Sequence, residues 1–280
     1  MRTGRPHESR GRPAAYNGPT VRNRRLAHLL ALGAAALTLG VGAMPAGSRA
    51  ATAEAPAEGS SPTATSQVVP LSNERTLTAW AHPLETGAIR TRPNARAPRV
   101  ARIHLETEDG FPEVYLLLSE YTDERSEEWV RLRIPGRPNG RTGWAPRELL
   151  GTIQRTRWLI VVNLHRRQLR AYFDGHLRKV APVGVGKPST PTPPGRFWIR
   201  ERFRVKDRSN PYWPYALGTS DYSTLSEWPG GGVVGIHGPF GEPQAIPGDP
   251  SHGCIRMRAG DIAWLGPRVT LGTPVKIVRG

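Results

Sequence analysis

Cys254 is the only cysteine in the 280 residues, and it directly follows Ser251-His252-Gly253. A second histidine, His237, stands seventeen positions upstream. A thiol with an imidazole in reach has the parts of a nucleophile and its base. A free thiol ionises near pH ~8.5, so chemistry at neutral pH calls for an imidazolium or a helix N-terminus beside it. His237 and His252 are both candidates, and spacing alone does not rank them. Gly253 removes a Cβ just before the thiol, which permits a sharp turn and lets substrate approach backbone N–H groups able to receive an oxyanion. Pro239, Gly241, Pro243, Pro247, Gly248 and Pro250 stiffen the stretch between. Two competing readings are an inert buried thiol and a zinc site drawn from His237, Asp249, His252 and Cys254. The paired C-x-x-C or H-x-x-x-H spacing of structural zinc is missing, and both histidines share one loop-rich stretch with the thiol.

The elements that must position these groups are strands. Trp158 to Val162 is a continuous apolar run of the kind a buried strand shows, and strands are predicted at Gln168 to Phe173 and Arg178 to Val185, with Asp174-Gly175 as the hairpin turn between them. From Gly195 to Val205 the residues alternate: Phe197, Ile199, Phe203 and Val205 point one way, Arg200, Arg202, Arg204 and Lys206 the other. Four charges side by side must face solvent, acids or substrate, and as a strip they would steer an anionic polymer. Val233 to His237 is the strand that delivers His237. A short helix at Asp261 to Leu265 and a closing strand at Pro274 to Val278 complete a mostly β domain over residues 151–280, with its chemistry at strand ends.

The order His, a loop, then Ser-His-Gly-Cys, an apolar residue and Arg resembles the signature of the L,D-transpeptidase (YkuD-type) catalytic domain. The residues that carry the resemblance are His237, Gly238 and Ser251 to Arg256, with Thr190-Pro191-Thr192-Pro193-Pro194-Gly195 similar to the family's T-P-x-G-x-F segment. It covers roughly Trp158 to Val278, and Arg256 stands where many members carry Asn. The resemblance implies a β-sandwich-like domain with a groove over the cysteine, and no metal or organic cofactor. By position it makes Cys254 the nucleophile and His237 its base. Gly238 would orient that base through its carbonyl, and the backbone at Gly253 and Cys254 would form the oxyanion hole. Ser251, His252 and Arg256 would shape the site and hold a substrate carboxylate. The implied substrates are peptidoglycan stem peptides. Two other classes are a cysteine peptidase acting on wall peptides, whose NlpC/P60-type members place Cys before His, and a non-catalytic wall-binding protein.

Residues 76–150 form a second domain of short alternating strands separated by turn clusters. Ala88-Ile89-Arg90-Thr91-Arg92-Pro93, Glu128-Trp129-Val130-Arg131-Leu132 and Gly143-Trp144-Ala145-Pro146 resemble segments of bacterial SH3-like barrels. That implies a small barrel serving as a spacer or as a module for cell-wall polymer. The fold expectation is thus mainly β throughout, an SH3-like barrel followed by a sandwich.

Ahead of both domains, the first 25 residues hold seven arginines against Glu8, and Leu26 to Ala46 is apolar or small apart from His28 and Thr38. Residues 1–50 read as a signal peptide or an N-terminal membrane anchor, and either places the remainder outside the cytoplasm, at the membrane only if the segment stays uncleaved. Residues 51–75, rich in Ala, Pro, Ser, Thr and Glu, read as a disordered linker. A single cysteine leaves an exported chain without an internal disulfide, so its cores must hold it. Residues 151–280 carry nineteen Lys and Arg against eight Asp and Glu, most of the +16 net charge. Export and the lack of any nucleic-acid module motif exclude nucleic acid as the partner.

Overall fold

The computed structural model describes residues 67–227 and 229–280. The expected signal or anchor, residues 1–50, and the linker as far as residue 66 lie outside the described residues.

The first sheet has eight strands: β1 (Gln67–Pro70), β2 (Thr78–Ala81), β3 (Ala88–Arg90), β4 (Arg99–Arg102), β5 (Tyr115–Thr122), β6 (Glu128–Arg133), β7 (Thr142–Pro146) and β8 (Gln154–Thr156). They run in the order β4-β3-β7-β6-β5-β2-β8, with β1 paired to the far half of β5. Val130, Leu132 and Ala145 go into a core with Ile89, Tyr115 and Leu117, with Glu128 and Arg131 exposed between them but Trp129 and Leu116 buried on the other side. The linker expectation is corrected at its C-terminal end. Residues 67–70 pair with β5, Leu71 is buried, and the Asn73 carboxamide oxygen accepts from the N–H groups of Arg75, Thr76 and Leu77 at 2.8–3.0 Å. Val68 and Val69 stay exposed, so the order comes from the ladder to β5, the burial of Leu71 and the Asn73 turn.

The second sheet is built from β9 (Trp158–Asn163), β10 (Gln168–Phe173), β11 (His176–Gly186), β12 (Gly195–Arg204), β13 (Tyr215–Tyr222), β14 (Val233–His237), β15 (Gly248–Ser251), β16 (Ile255–Met257) and β17 (Pro274–Val278), with one helix, α1 (Ala259–Leu265), before the last strand. Its order is β10-β9-β17-β12-β13-β14-β16-β11-β15, and β11 also pairs with β10. The strands therefore close on themselves, which removes most open edges. The hairpin read at Asp174-Gly175 joins β10 to β11 with both residues at positive φ, 54° and 77°. Inside, Ile160, Leu169, Phe197, Leu217, Ile236 and Ile255 are almost fully buried, each stabilising the fold by ~1.5–3 kcal/mol relative to an exposed side chain.

The strip expected along Gly195 to Val205 forms only in part: Arg202, Arg204 and Lys206 are exposed and alternate with half-buried Phe203 and Val205, but Arg200 is buried. The register between β12 and β13 shifts between Ile199 and Glu201, and such a bulge turns consecutive side chains out of alternation. Trp198, Ile199, Arg200 and Glu201 are all buried as a result, because one face of β12 lies on the sandwich core and the other on the first sheet. The Trp198 indole donates to Val114 O at 2.7 Å. Arg200 enters the contact between the sheets, where its Nε donates to Glu113 Oε1 at 2.8 Å, its Nη2 pairs with Glu113 Oε2, and its Nη1 meets Glu108 at 3.1 Å and the Tyr222 hydroxyl at 2.8 Å. Arg202, more exposed, caps the carbonyls of Gly266, Pro267 and Val269 at 3.4–3.5 Å.

A buried guanidinium is tolerable only while its partners stay charged. Glu113→Gln should therefore cost about 3 kcal/mol or more, read as a lower urea midpoint at unchanged slope, and Glu113→Gln together with Arg200→Met should recover much of the loss. A Glu113→Gln protein as stable as the parent would mean that Glu113 and Arg200 do not hold the two sheets together.

Candidate active site

The site is assembled by a parallel strand pair. β14 and β16 align Ile236 with Ile255 and His237 with Arg256, so Cys254, the residue before β16, lies beside Gly235. The Gly235 N–H donates to Cys254 Sγ at 3.4 Å. A Cβ on Gly235 would sit 3.7 Å from His237 Cδ2, so thiol and imidazole flank the same glycine. His237 is 3% exposed, and Cys254 is half-buried.

The imidazole is oriented from one side. Gly238 O lies 2.8 Å from His237 Nδ1, and because a carbonyl only accepts, Nδ1 carries the proton and Nε2 is left as the basic nitrogen. Gly238 has no alternative here, since a Cβ would fall 1.6 Å from Trp213 O. Tyr212 packs edge-on to the imidazole at 4.7 Å between ring centroids.

The turn carrying the thiol is locked from within. Ser251 Oγ donates to Cys254 O at 2.6 Å and accepts from Gly253 N–H at 3.1 Å. Gly253 lies at φ +124°, a conformation few other residues adopt. Thr192 Oγ1 donates to Gly253 O at 2.7 Å and accepts from Gly186 N–H at 2.9 Å, and Lys187 N–H donates to Ser251 O at 3.0 Å. The Thr190-Pro191-Thr192 segment is therefore a buttress for the turn.

These bonds bear on two roles assigned from sequence. Ser251 is 1% exposed with its hydroxyl spent inside the turn, so it locks the backbone and does not hold a substrate carboxylate. The Gly253 N–H is likewise engaged by Ser251 Oγ, so in the free protein Gly253 shapes the turn. His252 is exposed, with Nε2 2.9 Å from Lys187 Nζ. Arg256 is buried, pairs with Glu242 at 2.5 Å, and lies 4.6 Å above the Phe240 ring. The rival donor set is not gathered: Asp249 takes a two-pronged pair from Arg167 at 2.8 Å for each bond, and no cluster of three or more His, Cys, Asp or Glu capable of holding a metal occurs among the described residues.

Electrostatics fixes the protonation of the pair. Burial pushes the His237 imidazole down to about 4, against a Gly238 bond that favours the charged form, and the Arg256 charge lowers it further. Burial pushes the Cys254 thiol up, opposed by the Gly235 bond and by Arg256. At neutral pH the proton therefore rests on sulfur and the imidazole is neutral. Both directions weigh against the imidazolium–thiolate pair expected from sequence, since burial and the Arg256 charge disfavour a cationic His237.

Two residues of the site gave no sequence signal. Asp221, on β13, is fully buried and pushed up to about 8 by burial, so its carboxyl is mainly neutral at neutral pH; when ionised it would push the Cys254 thiol up. Ser223 lies 3.2 Å from where a Gly253 Cβ would be. β13 is buried on nearly every residue, so no alternation marks it, and its Thr219, Ser220 and Asp221 look like a loop.

The fold is a closed β domain that brings one thiol and one imidazole of fixed tautomer to either side of Gly235. Residues 157–277 match the model of the YkuD family, the L,D-transpeptidase catalytic domain, and the chain spans a little under two thirds of the length of the YkuD relatives it matches. The YkuD protein of Bacillus licheniformis is 37% identical over 118 residues, covering 42% of this chain and 64% of that protein. L,D-transpeptidase 1 of Mycobacterium tuberculosis is 24% identical over 202 residues, covering 60% of this chain and 79% of the relative. Among solved structures, a Cys-to-Ser variant of the Enterococcus faecium L,D-transpeptidase is 29% identical over 43% of this chain and 49% of its own, with a TM-score of 0.34.

The resting protonation state has a direct readout in a chain with one thiol. Iodoacetamide should alkylate Cys254 slowly at pH 6–7, at a rate that keeps rising through the ordinary thiol range, about 8.5, without an acidic plateau. A plateau between pH 5 and 7 would mean a preformed thiolate–imidazolium pair and contradict the burial argument.

Proposed function

We propose that the protein is an exported peptidoglycan L,D-transpeptidase that uses Cys254 as its nucleophile. The observation that carries the proposal is the His237 tautomer: Nδ1 tied to Gly238 O leaves Nε2 as a base in the strand next to the only thiol. His237 Nε2 takes the thiol proton as sulfur attacks the carbonyl of the third residue of a stem tetrapeptide. The tetrahedral oxyanion collapses, the peptide C–N bond breaks, and the imidazolium returns the proton to the departing D-alanine amine. A thioester on Cys254 remains. An amine on a neighbouring stem then attacks it with His237 as base, which forms the cross-link amide and restores the thiol.

Because thiol and imidazole are both neutral at rest, charge separation belongs to the reaction and not to the free protein, which protects the thiol until a donor is seated. Arg256 serves both partners, favouring thiolate while disfavouring imidazolium. His252, exposed next to the thiol turn, would meet a donor carboxylate, while Arg256 stays buried and paired with Glu242. The basic composition of residues 151–280 supports an acidic wall polymer as substrate. The first sheet, in this reading an SH3-like module, binds or spaces the enzyme on that polymer. The N-terminal segment exports or anchors the chain, which works outside the cytoplasm.

The test is cross-linking of a stem tetrapeptide donor to an amine acceptor. Cys254→Ser should abolish product without changing the circular dichroism spectrum, and His237→Ala should lower the rate ~10²-fold or more. His252→Ala should retain more activity than His237→Ala. Full turnover by Cys254→Ser would refute the assignment, and product formed only by water would place the enzyme among wall-peptide hydrolases.

A further inference from the structure

The loop between β6 and β7 of the first sheet, residues 134–141, reaches the segment that covers the thiol turn. Arg137 donates through Nε and Nη2 to Ser223 O, at 3.1 and 2.6 Å, and through Nη2 to Gly231 O at 3.0 Å. Its guanidinium lies 5.1 Å over the Tyr222 ring. Asn139 mimics a strand partner, its Oδ1 accepting from Tyr222 N–H at 3.1 Å and its Nδ2 donating to Tyr222 O at 3.0 Å. The same Nδ2 also donates to Asp221 Oδ1 at 2.8 Å. The two ends of the segment are tied by Ser223 N–H to Gly232 O at 2.9 Å. A Cβ on Gly232 would lie 2.7 Å from Arg137 Nη2, and Ser223 in turn abuts Gly253. An unbroken chain of contacts thus runs from the first sheet to the residue before the nucleophile.

We propose that Arg137 and Asn139 are positioning residues of the active site: they hold residues 221–223, with Gly231 and Gly232, against Gly253, and through it they fix the Cys254 turn in its reactive, shielded geometry. The first sheet is then part of the catalytic assembly and not only a spacer. The partners argue for this role. Arg137 satisfies two carbonyls of a segment bearing three consecutive glycines at positive φ, Gly230 to Gly232, a backbone with high freedom unless tethered. Asn139 makes the one hydrogen bond to the Asp221 carboxyl oxygens from outside the sandwich, while Asp221 Oδ2 is buried without a partner. Removing the clamp should free the segment, hydrate Asp221 and open the thiol.

The proposal rests on the proposed transpeptidase activity for only one of its two readouts. Full-length Arg137→Gln/Asn139→Ala is compared with Arg133→Gln, which loses the ion pair to Glu74 elsewhere in the same sheet, and with Arg137→Lys. Iodoacetamide alkylation of the lone thiol at fixed pH should speed up roughly tenfold in the double variant while kcat for acylation by a stem tetrapeptide falls roughly tenfold or more, since small misplacements of a reacting group cost that much. KM should change less. Arg133→Gln should leave both rates near the parent's, and Arg137→Lys should recover part of the effect. Faster alkylation with slower acylation is what a loosened cover predicts. An unchanged alkylation rate in the double variant, or equal shifts in Arg133→Gln, would overturn the proposal. If the parent itself is not acylated, the proposed activity fails while the alkylation comparison still decides the clamp.

Discussion

The site depends on a parallel pairing only two residues long, Ile236 to Ile255 and His237 to Arg256. Short parallel ladders are weak by themselves, and this one is maintained by what borders it. β16 pairs on its other side with β11, where Val183 meets Met257, and β14 is braced by β13 through Ala216 to His237. Ile236 and Ile255 are fully buried, so a slip by one residue would turn them toward solvent. Register is thereby set by the core, and the core in turn sets where the thiol sits relative to the base. The chemistry inherits its geometry from hydrophobic packing.

Burial has a second consequence, in the charges. The His237 imidazole, the base in the proposed reaction, is buried, and the Arg256 charge disfavours its cation while favouring a thiolate. Such a pair resists spontaneous ionisation and favours proton transfer coupled to attack. β12 shows the other way to accommodate charge in a dry place: Arg200 is buried and surrounded by Glu113, Glu108 and Tyr222. One arginine tunes the thiol and the other joins the sheets, and both face carboxylates.

The sequence made the catalytic region legible because its signals are local. The lone thiol, the two histidines, the Asp174-Gly175 turn and the apolar runs at Trp158 and Pro274 depend on neighbours in the chain, and their strands form where the pattern places them. Features that depend on distant partners were not legible. Arg200 reads as surface until a bulge and a glutamate 87 positions away make it a buried ion-pair partner. Ser251 reads as a substrate ligand until the turn closes and consumes its hydroxyl. β13 has no alternation to read because it is buried on nearly every residue, and its polar side chains are satisfied by Asn139 and by Val234 O, neither adjacent in sequence. The order found at residues 67–75 likewise comes from β5 and Arg133.

The central claim is that Cys254 becomes acylated. Mixing the full-length protein with a stem tetrapeptide in the absence of acceptor, then measuring intact mass and mapping the modified peptide, tests it most directly. The account predicts a mass gain equal to the tripeptide acyl group, located on the peptide containing Cys254, with one D-alanine released for each adduct and loss of the adduct on addition of an amine. D-alanine release with no adduct at Cys254 under quenching at acid pH, or an adduct on another residue, would contradict it.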